Sequence, residues 1–315
     1  EKIVEWISSL IPEDASSILD VFCGGCSVGY MAKLKGLTVY ANDILKINYH
    51  IAQALIENNH TILEDADVDC IFAGEPIEGF VFHNFADRYY FPDECKDLDM
   101  IRENISKIPD KYKKALALTL MRRAMIRKMP YSRFTIKWDK VKELRDEEFS
   151  YAKYGRRRHY HNQSFEFHFK DNLQEYNNSV FNNGKENKAF NLDVYDAVES
   201  KDADIIYLDP PYAGTMNDYF AFYGFLDAYI ESAVPHPFDN NFTDKNTIID
   251  QFDRLFSKLW KYKYWMLSYN SRSKPTKEEI LKLLSQYSSD VEVHEMSYAY
   301  RVTGKEKKQK DIEYL

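Results

Sequence analysis

The residues best suited to chemistry form a tetrapeptide in the second half of the chain. Residues 209–212 read Asp-Pro-Pro-Tyr and follow the apolar run DIIYL, which predicts a buried strand. Sheets of α/β proteins place their chemistry at the carboxyl ends of strands. Two prolines remove two N–H donors and stiffen the chain. The Asp209 carboxylate and the Pro210 carbonyl could therefore accept hydrogen bonds from an amino group while the Tyr212 ring stacks on a planar base. A Pro-Pro turn without a ligand is the alternative.

A glycine-rich turn near the start of the chain is a second candidate site. The apolar run from Ser17 to Phe22 predicts a strand, and residues 23–29 follow with the sequence CGGCSVG. Glycine lets a backbone approach a ligand closely. Asp43 lies 19 residues after Gly24, at the end of the next predicted strand, where a carboxylate can bind ribose hydroxyls. The pattern indicates a cofactor that carries adenosine, although a tight turn without a ligand would have the same sequence.

The spacing of these residues restricts the type of ligand. The run is GGxxxG instead of the GxGxxG of dinucleotide sites, and no GK[ST] of a P-loop follows. The sequence of the turn alone does not distinguish an NAD site from an S-adenosylmethionine site. Cys23 and Cys26 are spaced like metal ligands, but no second CxxC or HxxxH exists, so we expect no metal site.

The elements that must position these motifs form an α/β pattern. The predicted strands are 17–22, 37–41, 188–192, 204–208 and 264–269, with a further strand from Val291 and a closing hairpin of 298–302 with 311–315. The predicted helices are 1–10, 30–35, 43–59, 96–108, 110–128, 246–261 and 275–286. The pattern predicts one α/β domain that is interrupted by an insertion.

Length and composition exclude a membrane-spanning protein and a disulfide-rich scaffold. The chain has 315 residues and no apolar run near 18 residues. Its first ten residues are charged and amphipathic, so we expect no signal peptide in this sequence. Four cysteines are too few for a disulfide scaffold, so we expect a reducing, cytoplasmic location. Because residue 1 is Glu, we expect that a preceding segment is missing. The sequence also stops within the last predicted strand.

Charge is segregated along the chain. Residues 121–161 contain 13 Lys and Arg against 5 Asp and Glu, a net charge of +8, whereas the whole chain has a net charge of −8. The residues outside 121–161 therefore carry a net charge of −16. A basic island in an acidic protein indicates local contact with a polyanion, and a solvated helix face is the alternative.

The two motifs together resemble the Dam-type DNA adenine-N6 methyltransferases. The similar stretches are residues 20–25 (DVFCGG), residues 42–44 (NDI) and the DPPY segment, in the order of the alpha group of that family. The resemblance implies a Rossmann-like, S-adenosylmethionine-dependent methyltransferase sheet with an inserted helical and hairpin DNA-recognition domain. Residues 1–60 and 186–315 would form the catalytic domain, and residues 61–185 the recognition domain. The Lys/Gly-rich motif that the family has before the first helix is absent from this sequence.

The resemblance also implies roles for individual residues. The DPPY residues Asp209, Pro210, Pro211 and Tyr212 would hold the target amine. The cofactor residues would be Asp20, Phe22, Cys23, Gly24, Gly25, Asp43, Ile44, Asp193 and Asp209. Tyr219 matches an aromatic residue that the family has just after the DPPY segment. The segregated positive charge, and not the resemblance, makes Arg122, Arg123, Arg127, Arg133, Arg156, Arg157 and Arg158 the candidates for DNA contact. We expect about half of these arginines to pair instead with Glu143, Glu147 or Glu148.

The resulting hypothesis is methyl transfer from S-adenosylmethionine to adenine N6 in duplex DNA, with the base flipped out, in a restriction-modification system with a cognate endonuclease. A cytosine-C5 enzyme is excluded because no cysteine follows a proline. The alternatives are methylation of cytosine N4, RNA or a glutamine amide, a non-catalytic DNA-binding subunit, and an NAD-dependent oxidoreductase. An NAD-dependent oxidoreductase would leave the DPPY segment and the basic island unexplained.

Overall fold

The computed structural model describes residues 2–213, 219–234, 242–298 and 311–315. The helices are α1 (Lys2–Ser9), α2 (Ser27–Leu34), α3 (Lys46–Ala52), α4 (Asp65–Ile71), α5 (Phe80–Phe85), α6 (Pro92–Ser106), α7 (Lys111–Lys128), α8 (Trp138–Arg145), α9 (Glu147–Tyr154), α10 (Phe165–Asn178), α11 (Val194–Ser200), α12 (Tyr219–Glu231), α13 (Ile248–Phe256) and α14 (Lys277–Leu284). The strands are β1 (Ser17–Asp20), β2 (Thr38–Asn42), β3 (Lys188–Phe190), β4 (Ile205–Leu208), β5 (Tyr264–Leu267), β6 (Tyr269–Asn270), β7 (Glu295–Tyr298) and β8 (Asp311–Tyr314). A π-helical turn covers Gln53–Glu57, and 3₁₀ turns cover Pro130–Ser132 and His159–Asn162.

Five of the strands form one parallel sheet. Their order is β3-β2-β1-β4-β5, and every neighbouring pair in it is parallel. The five runs that the sequence predicts as strands all contribute to this sheet. A mostly parallel sheet with flanking helices is Rossmann-like, so the predicted fold class is confirmed.

The strand sequences explain why the sheet is buried on both faces. All four residues of β4 are buried, as are three of the four in β1, because helices cover parallel sheets on both sides. One face packs against apolar side chains of α11, α13 and α14. Its core includes Leu19, Val21, Ile206, Leu208, Val194, Val198, Phe252, Phe256, Ile280 and Leu283.

A small antiparallel sheet extends the edge of the large one. Its order is β6-β8-β7, and only Ser268 separates β5 from β6. Strand β8 pairs antiparallel with β7, which begins at Glu295 within the strand predicted from Val291. Of the predicted hairpin strand 298–302, only Tyr298 lies within the described residues, and it pairs with Asp311. The rest of that strand and the turn after it lie outside the described residues.

The chain divides into two compact units. The first contains Glu1–Ala52, Asn182–Tyr219 and Pro237–Leu315, and the second contains Gln53–Phe181 and Phe220–His236. The second unit is helical, and its described residues include no β-strand. The hairpin that the resemblance implies for the insertion is therefore not found in residues 61–185. Next to the arginine run, Gly155, with φ 65°, ends α9 in the left-handed conformation that glycine adopts without strain.

Two clusters hold the second unit together. The first is aromatic and includes Phe85 and Phe225, whose ring centroids are 4.8 Å apart. The second is a buried ion cluster. Arg145 donates two hydrogen bonds to the Glu94 carboxylate, at 2.8 and 2.6 Å, and Lys128 Nζ lies 2.8 Å from the same group. Glu94 thereby ties α6 to α7 and α8.

Replacement of Glu94 by alanine should destabilise this unit. Lys128 and Arg145 would remain buried without their counter-charge, which costs about 3–5 kcal/mol. Denaturant unfolding measures the loss. Glu103→Ala, on the same helix, is the control, because Glu103 forms an exposed pair with Lys107 that contributes little. Equal stabilities of the two variants would contradict this account.

Candidate active site

Three carboxylates lie at the carboxyl edge of the parallel sheet. Asp20 ends β1, Asp43 follows β2 and Asp209 follows β4. Strand β1 lies between β2 and β4, where the strand order of an open α/β sheet reverses and a ligand crevice forms. The fold thus brings to one edge three acids that occur in separate motifs of the sequence.

Asp43 fastens the glycine turn to the end of β2. Its carboxylate accepts hydrogen bonds from the Gly24 N–H at 2.9 Å, the Leu45 N–H at 2.9 Å and the Asn48 side-chain amide at 3.1 Å. Gly24 has φ +50°, which favours glycine. Only 4% of Asp43 is exposed. Its first role in the structure is therefore to shape the turn.

Two asparagines complete this edge. Asn42 is buried, donates to the carbonyls of Val21 and Leu192 at 3.1 Å, and accepts from the Leu192 N–H at 3.0 Å. Asn191 donates to the carbonyls of Asp43 and Ile44 at 2.8 and 2.9 Å. Sequence reasoning quoted Asn42 within a motif without assigning it a role, and it missed Asn191.

The remaining residues predicted for the cofactor lie around the same turn. Phe22 packs edge-on against Phe242, with centroids 5.4 Å apart, and the Cys23 N–H donates to the Asn42 carbonyl at 2.9 Å. Ile44 is exposed. Asp193 is also exposed and caps α11 by accepting from the Tyr195 N–H at 2.9 Å.

Gly25 borders open space. A Cβ atom built at this position has no neighbour within 4 Å, and its φ lies outside the left-handed region. The protein itself therefore does not require glycine here. A ligand that lies against the backbone would require it.

The DPPY segment presents an accessible carboxylate. The Tyr212 hydroxyl donates to Asp209 Oδ1 at 2.7 Å, and the Tyr212 ring packs edge-on against Tyr269. Asp209 is exposed, although protein atoms crowd around it. This desolvation raises the pKa of Asp209 to about 6, opposed by the Tyr212 hydrogen bond and reinforced by the charge of Glu313. Asp209 is thus an acceptor that is ionised near neutral pH.

The buried part of this sheet edge is rich in carboxyl groups. Asp20 is only 1% exposed, and burial together with the charges of Asp209 and Asp43 raises its pKa well above the usual range. The site therefore favours cations and disfavours anions.

Comparison with known proteins identifies the family of the chain. The model of the D12 class N6 adenine-specific DNA methyltransferases matches residues 1–280. The chain belongs to this family. It is 56% identical to the type II methyltransferase M2.HphI of Haemophilus parahaemolyticus, over the whole chain and 94% of that protein.

The chain matches only about half the length of two more distant relatives. The chain is 25% identical to the type II methyltransferase M.FokI of Planomicrobium okeanokoites, over all of this chain and 50% of that protein. It is also 25% identical to the modification methylase StsI of Streptococcus sanguinis, over 93% of this chain and 46% of that protein. This adenine-N6 DNA methyltransferase thus resembles modification enzymes of restriction-modification systems. None of the helices in the described part of the chain is long and apolar enough to span a membrane.

The arginines proposed for DNA contact have different surroundings in the methyltransferase. Arg127 pairs with Asp171 at 3.1 Å, and Arg157 pairs with Glu148 at 3.0 Å. The Arg158 guanidinium lies over the ring of Tyr131, 5.1 Å from its centroid. These three arginines are engaged within the protein.

The other predicted DNA contacts are four arginines and one tyrosine. Arg122 and Arg123 are half-buried on α7. Arg133 and Arg156 are exposed, and no ion pair is found for either among the described residues. Tyr219 begins α12, and its side chain lies outside the described part of the molecule.

Substitution of Gly25 tests whether the cofactor lies against the turn. Gly25→Leu should leave the melting temperature unchanged, because the added side chain meets only open space, yet weaken cofactor binding roughly ten-fold or more. Calorimetry and thermal melting measure the two effects. Gly24→Ala should behave differently and lose about 1–2 kcal/mol of stability, because of its left-handed backbone. Normal cofactor affinity in Gly25→Leu would place the cofactor elsewhere.

Proposed function

We propose that this chain transfers a methyl group from S-adenosylmethionine to N6 of adenine in duplex DNA at a specific sequence. The observation that carries the proposal is the position of Asp209 and Tyr212 at the same sheet edge as the glycine turn. An amine acceptor and a site for an adenosine-bearing cofactor are then within one crevice.

The residues present fit S-adenosylmethionine. When bound, this cofactor supplies an activated methyl group on a positively charged sulfonium. The carboxylates of Asp43 and Asp209 create a negative potential that favours a cation, whereas the diphosphate of NAD is an anion. The open space at Gly25 would accept the cofactor against the backbone. Phe22, Cys23, Ile44 and Asp193 would line it.

The DPPY segment would prepare the target amine. The lone pair of adenine N6 is delocalised into the ring, so the amine is a weak nucleophile. Hydrogen bonds from N6 to the Asp209 carboxylate and the Pro210 carbonyl would favour a tetrahedral nitrogen whose lone pair is available. Pro211 would hold the segment stiff. Tyr212 orients Asp209 through its hydroxyl and would offer its ring to the flipped base.

Substrate selection is assigned to the residues of the insertion, 61–185. Arg133 and Arg156 are the best candidates to contact phosphates or guanine edges, because they are exposed and are not engaged by acids. A duplex-specific modification enzyme would work beside a cognate endonuclease in the cytoplasm. The four free cysteines are compatible with that compartment.

Asp209→Asn should abolish methyl transfer while DNA binding is retained, since affinity for DNA comes mostly from phosphate contacts. In the wild type, kcat should fall below about pH 6, where protonation removes the acceptor. Assays of methyl transfer from pH 5 to 8 measure the loss of activity in Asp209→Asn and the fall of kcat at low pH in the wild type. Near-normal turnover by Asp209→Asn would refute the assigned site.

Combined substitution of Arg133 and Arg156 by glutamine should weaken DNA binding and reduce its salt slope by about 2. Cofactor affinity should not change. The control is Lys107→Gln with Lys170→Gln, which removes the same charge from exposed intrahelical pairs of the same unit. Equal DNA affinities and salt slopes for the two double variants would mean that Arg133 and Arg156 do not touch DNA.

A further inference from the structure

A turn in the helical unit presents a tyrosine ring to solvent. The 3₁₀ turn Pro130–Ser132 follows α7, and Tyr131 within it is 42% exposed. Tyr131 has φ 57° and Ser132 has φ 56°, in the left-handed region that residues with side chains rarely adopt. Non-glycine residues in this region are costly and cluster at ligand-binding and other functional positions. Two of them in succession therefore indicate a function for this turn.

Buried residues hold the turn on both sides. Met129 and Pro130 are buried at its start, and Phe134 is buried shortly after it. The Phe134 ring packs against Phe225, with ring centroids 5.2 Å apart. These contacts fix the backbone from which the Tyr131 ring projects.

A cation lies against this ring. The Arg158 guanidinium is 5.1 Å from the centroid of the Tyr131 ring and 5.5 Å from that of the Tyr154 ring. Arg158 is half-buried, and its Nε is a buried donor without a hydrogen-bond partner among the described residues. The Arg158 side chain therefore supports the tyrosine ring and adds positive charge beside it.

Hydrogen bonds hold the segment that carries this cation. The His161 N–H donates to the Arg158 carbonyl at 3.0 Å, and His161 Nδ1 donates to the carbonyl of Arg127 on α7 at 2.8 Å. His168 on α10 donates from Nε2 to the Tyr160 carbonyl at 2.8 Å. Both histidines are buried. The ring and its cation thus belong to one preformed frame within this unit.

The chemistry around the ring fits DNA. Arg133 lies two residues after Tyr131, Arg156 lies two residues before Arg158, and both of these arginines are exposed. A flat ring between cations matches a nucleobase between phosphates, because bases stack on aromatic rings while cations follow the backbone. In an intact duplex, neighbouring base pairs cover both faces of every base. The faces beside the target become free only when the adenine leaves the stack.

We propose that the Tyr131 ring, supported by Arg158, enters the gap that the flipped adenine leaves and stacks on the bases beside it. The proposal rests on the proposed function, because it requires a flipped adenine. The ring replaces stacking that the duplex loses on both sides of the gap, and it thereby stabilises the extruded state. A rigidly held ring suits this role, since a preformed contact loses little conformational freedom on binding.

Tyr131→Ala is the test, and Tyr151→Ala is the control. Tyr151 is also an exposed tyrosine with an arginine against its ring, Arg157 at 5.2 Å from the centroid, but it lies within the regular helix α9. Methyl transfer is measured on two duplexes that carry the methylation site found by sequencing of modified DNA. The first duplex has thymine opposite the target adenine. The second has a pyrene nucleotide there, whose large ring fills the space of a whole base pair.

Tyr131→Ala should lower kcat/KM on the thymine duplex by roughly ten-fold or more, as expected for the loss of one stacked ring. On the pyrene duplex it should equal the wild type, because pyrene displaces the adenine and fills the gap without the protein ring. The ratio of wild-type to variant activity is compared on each duplex, so a loss common to both proteins cancels. Tyr131→Phe should keep most of the activity. Tyr151→Ala should match the wild type on both duplexes.

The outcomes separate this proposal from the proposed function. If the wild type does not methylate the thymine duplex, the proposed function itself fails. If the wild type is active and Tyr131→Ala equals it on that duplex, only the role of Tyr131 is refuted. Equal impairment of Tyr131→Ala on both duplexes would also overturn the proposal, because a purely structural loss is not rescued by pyrene. If thermal melting shows that Tyr131→Ala does not fold, Tyr131→Asn takes its place, since asparagine accepts a left-handed backbone.

Discussion

The hydrogen bond from the Gly24 N–H to the Asp43 carboxylate is the contact on which the catalytic edge depends. It joins the turn after β1 to the end of β2, and Asn42 and Asn191 join β2 to the segment after β3. Parallel strands bring their ends to one edge, but the loops beyond them remain free unless side chains connect them. Here buried acids and amides make those connections, so the glycine turn, the end of β2 and the segment after β3 share a fixed frame.

Motif reading could predict the residues that adjoin one another in sequence. Asp209 and Tyr212 are three residues apart, and Asp43 follows a recognisable strand, so local pattern was sufficient. Asn191 escaped it because it reaches this edge through the pairing of β2 with β3, which are far apart in the sequence.

The basic island shows a different limit of sequence reasoning. A count of charges treats every Lys and Arg alike, yet Lys128 and Arg145 are buried with Glu94, and Arg158 lies over tyrosine rings. Net charge reports the field far from the surface and not which cations face solvent. Only the three-dimensional arrangement singles out Arg133 and Arg156.

The pairing of β1 with β4 has a consequence for the order in which the molecule folds. These strands are neighbours although Ile18 and Ile205 are separated by most of the insertion and by β2 and β3. Closing so long a loop costs chain entropy before any contact is gained. Since the second unit is compact on its own, its earlier collapse would shorten the free chain between the two strands. The crevice would then be among the last parts of the protein to form.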